Sequence, residues 1–219
     1  MEIIVEGTGE KFFTPDKVIY NINFHSLGDT YESALYNGTE DVQIFIDKIL
    51  LKNNFVKEDL KTRSFAVREE KKYDKEKDTY INCGFSYSQE AMLSFDYDKT
   101  LVSKLLSEIS ALANSPRCDI TFSINNLKEC KNLILELAYK DAENKAKAIA
   151  KAAGVSLKEC KKIDFRPFST SYMPDLDVSP FEGAKGAIYS ASLPDKFANT
   201  FTPEDIKLSE TLYCLWIAE

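Results

Sequence analysis

Lys17-Val18-Ile19-Tyr20-Asn21-Ile22-Asn23-Phe24-His25 is the stretch whose reading decides the fold. Val18, Tyr20, Ile22 and Phe24 fall on one side of an extended chain, and Ile19, Asn21, Asn23 and His25 on the other. Successive side chains of a strand point to opposite faces, so this alternation predicts a strand with one buried face. Upstream, the β-branched residues of Glu2–Thr14 predict another strand, interrupted at Gly7 and Gly9, where a bulge is expected. The Thr14-Pro15-Asp16 turn would join the two strands as partners.

Downstream, Gly28-Asp29 ends the alternating strand, and Asp29 with Glu32 fits a capping box. Val42, Phe45, Ile46, Ile49 and Leu50 then recur at helical spacing as far as Lys52, where Asn53-Asn54 stops the helix. Two β-type segments follow, about Leu60–Tyr73 and Thr79–Tyr97. Nine of the ten residues from Glu69 to Asp78 are charged with mixed signs, which reads as a solvated hairpin tip. A second helix is expected over Thr100–Ala113, with Leu101, Leu105, Ile109 and Leu112 on one side. Cys118, Ile120, Phe122 and Ile124 alternate as a strand. Asn125-Asn126 opens the third and longest helix, which runs to Ala153 and stops at Gly154. The last strand carries Ile206, Leu208, Leu212, Cys214 and Trp216 in phase. This order predicts an α+β fold, one domain over residues 1–219, with an antiparallel or mixed sheet and helices on a face.

Bulk properties narrow the function. The 219 residues carry 28 basic and 35 acidic side chains, a formal net charge of −7. That balance argues against a nucleic-acid binder, which needs a basic face to displace counterions. The cysteines Cys83, Cys118, Cys130, Cys160 and Cys214 are odd in number and widely spaced, and read as thiols of a reducing compartment. No apolar run approaches the roughly 20 residues that span a bilayer. The first residues lack a basic start and a long apolar stretch, so the chain as given reads as cytoplasmic; a leader already removed would make it periplasmic or exported.

Chemistry offers few anchors. His25 is the one histidine, and its strand phase marks it as a residue of a half-polar face rather than a general base. Gly7-Thr8-Gly9 lacks the lysine and the following helix of a phosphate loop and reads as a turn or bulge. Asn37-Gly38-Thr39 matches a glycosylation acceptor but falls inside a predicted helix. Neither a catalytic set nor a metal or cofactor site is expected.

The third helix is more informative. Cys130, Ile134, Ala138, Ala142, Ala146 and Ala150 stand at four-residue steps and form a slanting ridge whose alanines permit close approach of a neighbour. That neighbour is either the chain's own sheet or another subunit. From about 166 to 203 lies a Pro-rich loop carrying Phe168, Tyr172, Phe181, Tyr189, Phe197 and Phe201. Six aromatics fit either an interaction surface or a loop folded back over its own core.

Several of these pieces, in order, resemble the SIMPL-domain family, which includes the bacterial YggE-like proteins. They are Val5-Glu6-Gly7-Thr8-Gly9 followed by Pro15-Asp16-Lys17-Val18, then Phe55–Phe65, then Asp141-Ala142-Glu143-Asn144-Lys145-Ala146 before Ala153-Gly154-Val155, then Phe201-Thr202-Pro203-Glu204-Asp205-Ile206. Glu204 departs from the glycine common there. The resemblance implies a curved, mainly antiparallel sheet with about three helices packed against it and a tendency to homo-oligomers. It implies roles in protein interaction or oxidative-stress defence, and supplies no catalytic residue. The reading is a non-catalytic, self-assembling interaction protein with a homo-oligomeric or protein partner. The alternatives are a thiol- or carboxylate-dependent enzyme, using Cys83 or Cys160, and a carrier or pore for small apolar ligands.

Overall fold

In the computed structural model, which describes residues 1–74, 78–168 and 202–219, the chain order is β1 (Glu2–Phe13), β2 (Lys17–Gly28), α1 (Tyr31–Phe45), β3 (Lys61–Asp74), β4 (Thr79–Asp96), α2 (Lys99–Ser110), β5 (Arg117–Ser123), α3 (Leu127–Ala152), β6 (Leu157–Asp164) and β7 (Ile206–Ala218). The fold is α+β, and its strands form two antiparallel sheets, ordered β1-β7-β6 and β3-β4-β2-β5. The described residues divide into two compact units: residues 1–15, 124–168 and 204–219 in one, residues 16–123 and 202–203 in the other.

The second unit is built on β2. Val18, Tyr20, Ile22 and Phe24 are buried, as the alternation predicts, and pack with Phe45, Ile49 and Leu50 of the first helical segment and with Val102 and Leu105 of α2. The Tyr20 hydroxyl donates to the Val102 carbonyl at 2.9 Å, so its polar end is satisfied inside the core. Burial, with Cys118 nearby, pushes the Tyr20 phenol well above the usual tyrosine range. Gly38 lets α1 lie close on β4, since a Cβ there would fall 2.1 Å from Cγ of Tyr87. The capping box at the start of α1 joins Thr30 to Ser33, not Asp29 to Glu32. Thr30 holds the extended backbone an N-cap requires, φ −125° and ψ 162°. After Phe45 the helix loosens into a π turn over Ile46–Leu50 and tightens over Leu51–Asn53, and Asn54 ends it at φ 62°.

In the first unit α3 covers one face of the β1-β7-β6 sheet. Ile3 and Val5 of β1 and Leu212, Cys214 and Trp216 of β7 meet Ala138, Ala142, Ala146 and Ala150 in one core. β1 pairs with β7 along its whole length, from Glu2 opposite Ile217 to Phe13 opposite Ile206, rather than with β2 through the Pro15 turn. The register runs unbroken past Gly7 and Gly9, so these glycines mark no bulge. Their role is contact: a Cβ on Gly7 would lie 2.1 Å from the Ala138 carbonyl oxygen, and one on Gly9 2.0 Å from that of Ile134. Gly154, at φ +70°, closes α3 as the sequence predicts.

Candidate interaction surface

The polar residues of α3 do more than face solvent. The Thr8 amide donates to Oδ2 of Asp141 at 2.9 Å, and Nζ of Lys145 donates to the Glu6 carbonyl at 3.0 Å. Asp141 and Lys145 are themselves paired at 2.7 Å. β1 is an edge strand, whose unpaired N–H and C=O groups invite another strand. Around Gly7 these groups are capped by side chains of α3, so the edge is closed there. The Lys145 ammonium and the Thr8 amide hold the Asp141 carboxyl below the usual aspartate range. Asp141 and Lys145 clamp the strand while Ala142 and Ala138 fill the space left by Gly7.

The other face of this sheet carries Ile4, Tyr213, Leu215 and Ile217, with Ile4 directly opposite Leu215. Ile4 is 54% exposed and the three β7 residues are partly exposed. An antiparallel sheet with one face on a core ordinarily turns polar residues outward. Here an apolar centre stands beside Glu2, Glu6 and Lys162, the composition of a contact surface with a charged rim.

In the second unit, β2 reaches its last partner at Gly28 opposite Phe85. β3 and β4 continue beyond it, from Lys71 opposite Asn82 to Asp74 opposite Thr79. The end of this hairpin is therefore a two-stranded arm. Tyr73 and Tyr80 face each other on it, ring centroids 5.3 Å apart, and Tyr80 is 68% exposed. Ile81 and, nearer the sheet, Phe65 are also exposed. The charged run conceals these residues: the sequence reads as a solvated tip, and the one signal against that reading is Tyr73 within the run and Tyr80 just past it.

Phe168 lies beneath the Lys162 ammonium, 4.7 Å from Nζ to the ring centroid. Tyr172, Phe181, Tyr189, Phe197 and Phe201 lie outside the described residues. Ala138, Ala142, Ala146 and Ala150 line the buried side of α3 within its own unit.

His25 is exposed at a surface depression of about 260 Å3 bounded by Phe24, Asp41, Asn114 and Ser115. Asp41 accepts from the Ser26 hydroxyl and from Nδ2 of Asn114, and the Ser115 hydroxyl donates to the carbonyls of Ile109 and Leu112. Both are occupied by the fold, and no hydrogen bond joins His25 to either. Asn37 sits in α1 with its amide on the Leu27 carbonyl at 2.9 Å. Among the described residues no group of three or more His, Cys, Asp or Glu side chains could hold a metal ion, and no helix is long and apolar enough to cross a membrane. All five cysteines are thiols; Cys83 is exposed on β4. Burial raises the Cys118 thiol to about 12.

Two antiparallel sheets packed with helices make the chain an α+β protein. The family model SIMPL, described as a protein of unknown function (DUF541), matches residues 3–213, and the chain belongs to this family. A search of curated proteins finds no match.

Proposed function

We propose that this SIMPL protein is a non-catalytic interaction protein that assembles with further copies of itself. The observation that carries the reading is the two-stranded arm bearing Tyr73 and Tyr80. A lone pair of strands is marginally stable in water, and large aromatic side chains gain most of their energy when a partner buries them. The apolar face around Ile4 and Leu215 supports it, since apolar side chains clustered at a sheet surface mark contact sites. Tyrosines are common anchors of protein interfaces and bury much area at low entropic cost.

Light scattering after size exclusion, at micromolar and sub-micromolar protein, tests the proposal. A stable species at a multiple of 24.8 kDa is the expected result. A monomer at both concentrations overturns it.

A further inference from the structure

Where β5 ends, one edge of β2 is left open. The last β5 partner of β2 is Arg117, opposite Asn23, whereas β2 runs on to Gly28 with β4 alone beside it. At the start of this pairing the Tyr97 amide donates to the Asp16 carbonyl at 2.8 Å, so even-numbered residues turn their backbone groups toward β4. Odd-numbered residues of β2 turn theirs toward the side where β5 stops. Asn37 fills that side at Leu27 by donating to its carbonyl. The His25 carbonyl lies on the same open edge, beside the depression that His25 lines with Asp41 and Asn114.

Asp41 brings an uncompensated charge to this place. It is half-buried on α1 and held by two neutral donors. The buried Ser26 hydroxyl donates to Oδ2, and Nδ2 of Asn114 donates to Oδ1 at 3.1 Å and to Oδ2 at 3.3 Å. Among the described residues no lysine, arginine or histidine nitrogen lies within 4.0 Å of the Asp41 oxygens. A carboxylate withdrawn from water ordinarily finds a cation. Asn114 spends its amide nitrogen on Asp41, which leaves its Oδ1 as an acceptor.

These acceptors select their ligand. An ammonium carries three donors and no acceptor, and Oδ1 of Asp41, Oδ1 of Asn114 and the His25 carbonyl offer it three oxygens. A guanidinium presents a planar fork suited to both oxygens of one carboxylate, and Oδ2 of Asp41 is already engaged by Ser26 and Asn114. The volume of about 260 Å3 falls below the roughly 300–1,000 Å3 of sites for drug-sized molecules, so it suits one head group. Ala113 and Pro116 give its methylene stem an apolar wall.

We propose that this depression binds a primary alkylammonium. Asp41 supplies the opposing charge, and Asn114 and the His25 carbonyl orient the three N–H groups. Two sources carry that chemistry, a lysine side chain of another protein and a free aliphatic amine. The site lies within the second unit and does not depend on assembly.

The experiment is saturation-transfer NMR on the full chain with n-butylammonium at constant ionic strength, a readout that tolerates any assembly size. The expected result is saturable transfer, half-complete on the order of 1–10 mM. Asp41→Asn keeps the size, loses the charge and weakens binding by about tenfold or more. Asn114→Ala, at an exposed position, keeps the fold and also weakens it. n-Butyltrimethylammonium, which has the charge without donors, and n-butanol, which has no charge, show no saturable transfer. Nα-acetyl-lysine methylamide binding at least as tightly as n-butylammonium identifies a protein lysine as the source, and weaker binding identifies a free amine. The proposal is overturned if n-butyltrimethylammonium matches n-butylammonium, or if Asn114→Ala or folded Asp41→Asn binds as the parent does.

Discussion

The carbonyl oxygen of Ala138 occupies the space that a side chain on Gly7 would need: a Cβ there would stand 2.1 Å away, with the Ala142 amide nitrogen at 2.5 Å. Both obstacles are helix backbone, which cannot swing aside as a side chain can. Gly7→Ala must push α3 off the sheet, and the expected cost is about 3 kcal/mol. Thr8→Ala, at an exposed neighbour, should change stability by less than about 0.5 kcal/mol. Urea denaturation of the two variants checks the contrast, and equal midpoints would refute it.

Removing the charge from Asp141 tests the clamp on β1. Asp141→Asn weakens the bonds to Lys145 and to the Thr8 amide, for an expected loss of about 1 kcal/mol at neutral pH. The folded-state pKa of Asp141 lies below its unfolded value of 3.8. Its contribution is therefore complete above that value and is lost as pH falls through the lower, folded value. The gap in stability between parent and variant should shrink in the same acid window. A gap that persists undiminished there would mean that the carboxylate charge is not what matters.

The arm predicts a separation of stability from assembly. Tyr73→Ser with Tyr80→Ser removes two exposed rings that no core residue covers, so thermal unfolding of the dissociated chain should move by no more than about 2 °C. Assembly mass, read by light scattering, should fall toward that of the monomer. Unchanged assembly would remove the arm from the proposed interface.

Tyr20→Phe removes the side-chain hydrogen bond to the buried Val102 carbonyl, which keeps its place in the α2 backbone ladder. The expected cost is about 1–2 kcal/mol, with the core packing otherwise retained. Chemical denaturation supplies the number, and a neutral result would mean that water replaces the lost hydroxyl.

Legibility in the sequence followed the range of the forces involved. β2 is readable because one face is sealed along consecutive residues, so burial imprints directly as alternation from Val18 to Phe24. The α3 ridge is readable for the same reason at helical spacing. The partner of β1 is not, because pairing Glu2 with Ile217 leaves no local mark in either segment. Alternation identifies the face of a strand and is silent on which sheet the strand joins. Gly7 and Gly9 were ambiguous in another way: a glycine that relieves backbone strain and one that admits a helix look alike until the neighbour is known. At the start of α1, Asp29 and Thr30 are both good caps, and the backbone angles select Thr30. The arm was hidden by charge, since the run from Glu69 to Asp78 outweighs one tyrosine within it.

The topology of the first unit also sets an order of events during synthesis. The strands of the second unit's sheet all lie between Lys17 and Ser123, so a ribosome that has released residue 123 has supplied everything that sheet requires. β1, made first, has no sheet partner until the last strand emerges, because β7 lies between β1 and β6. Until then the side of β1 that pairs with β7 has no strand beside it, and only α3 is there to cover Ile3 and Val5.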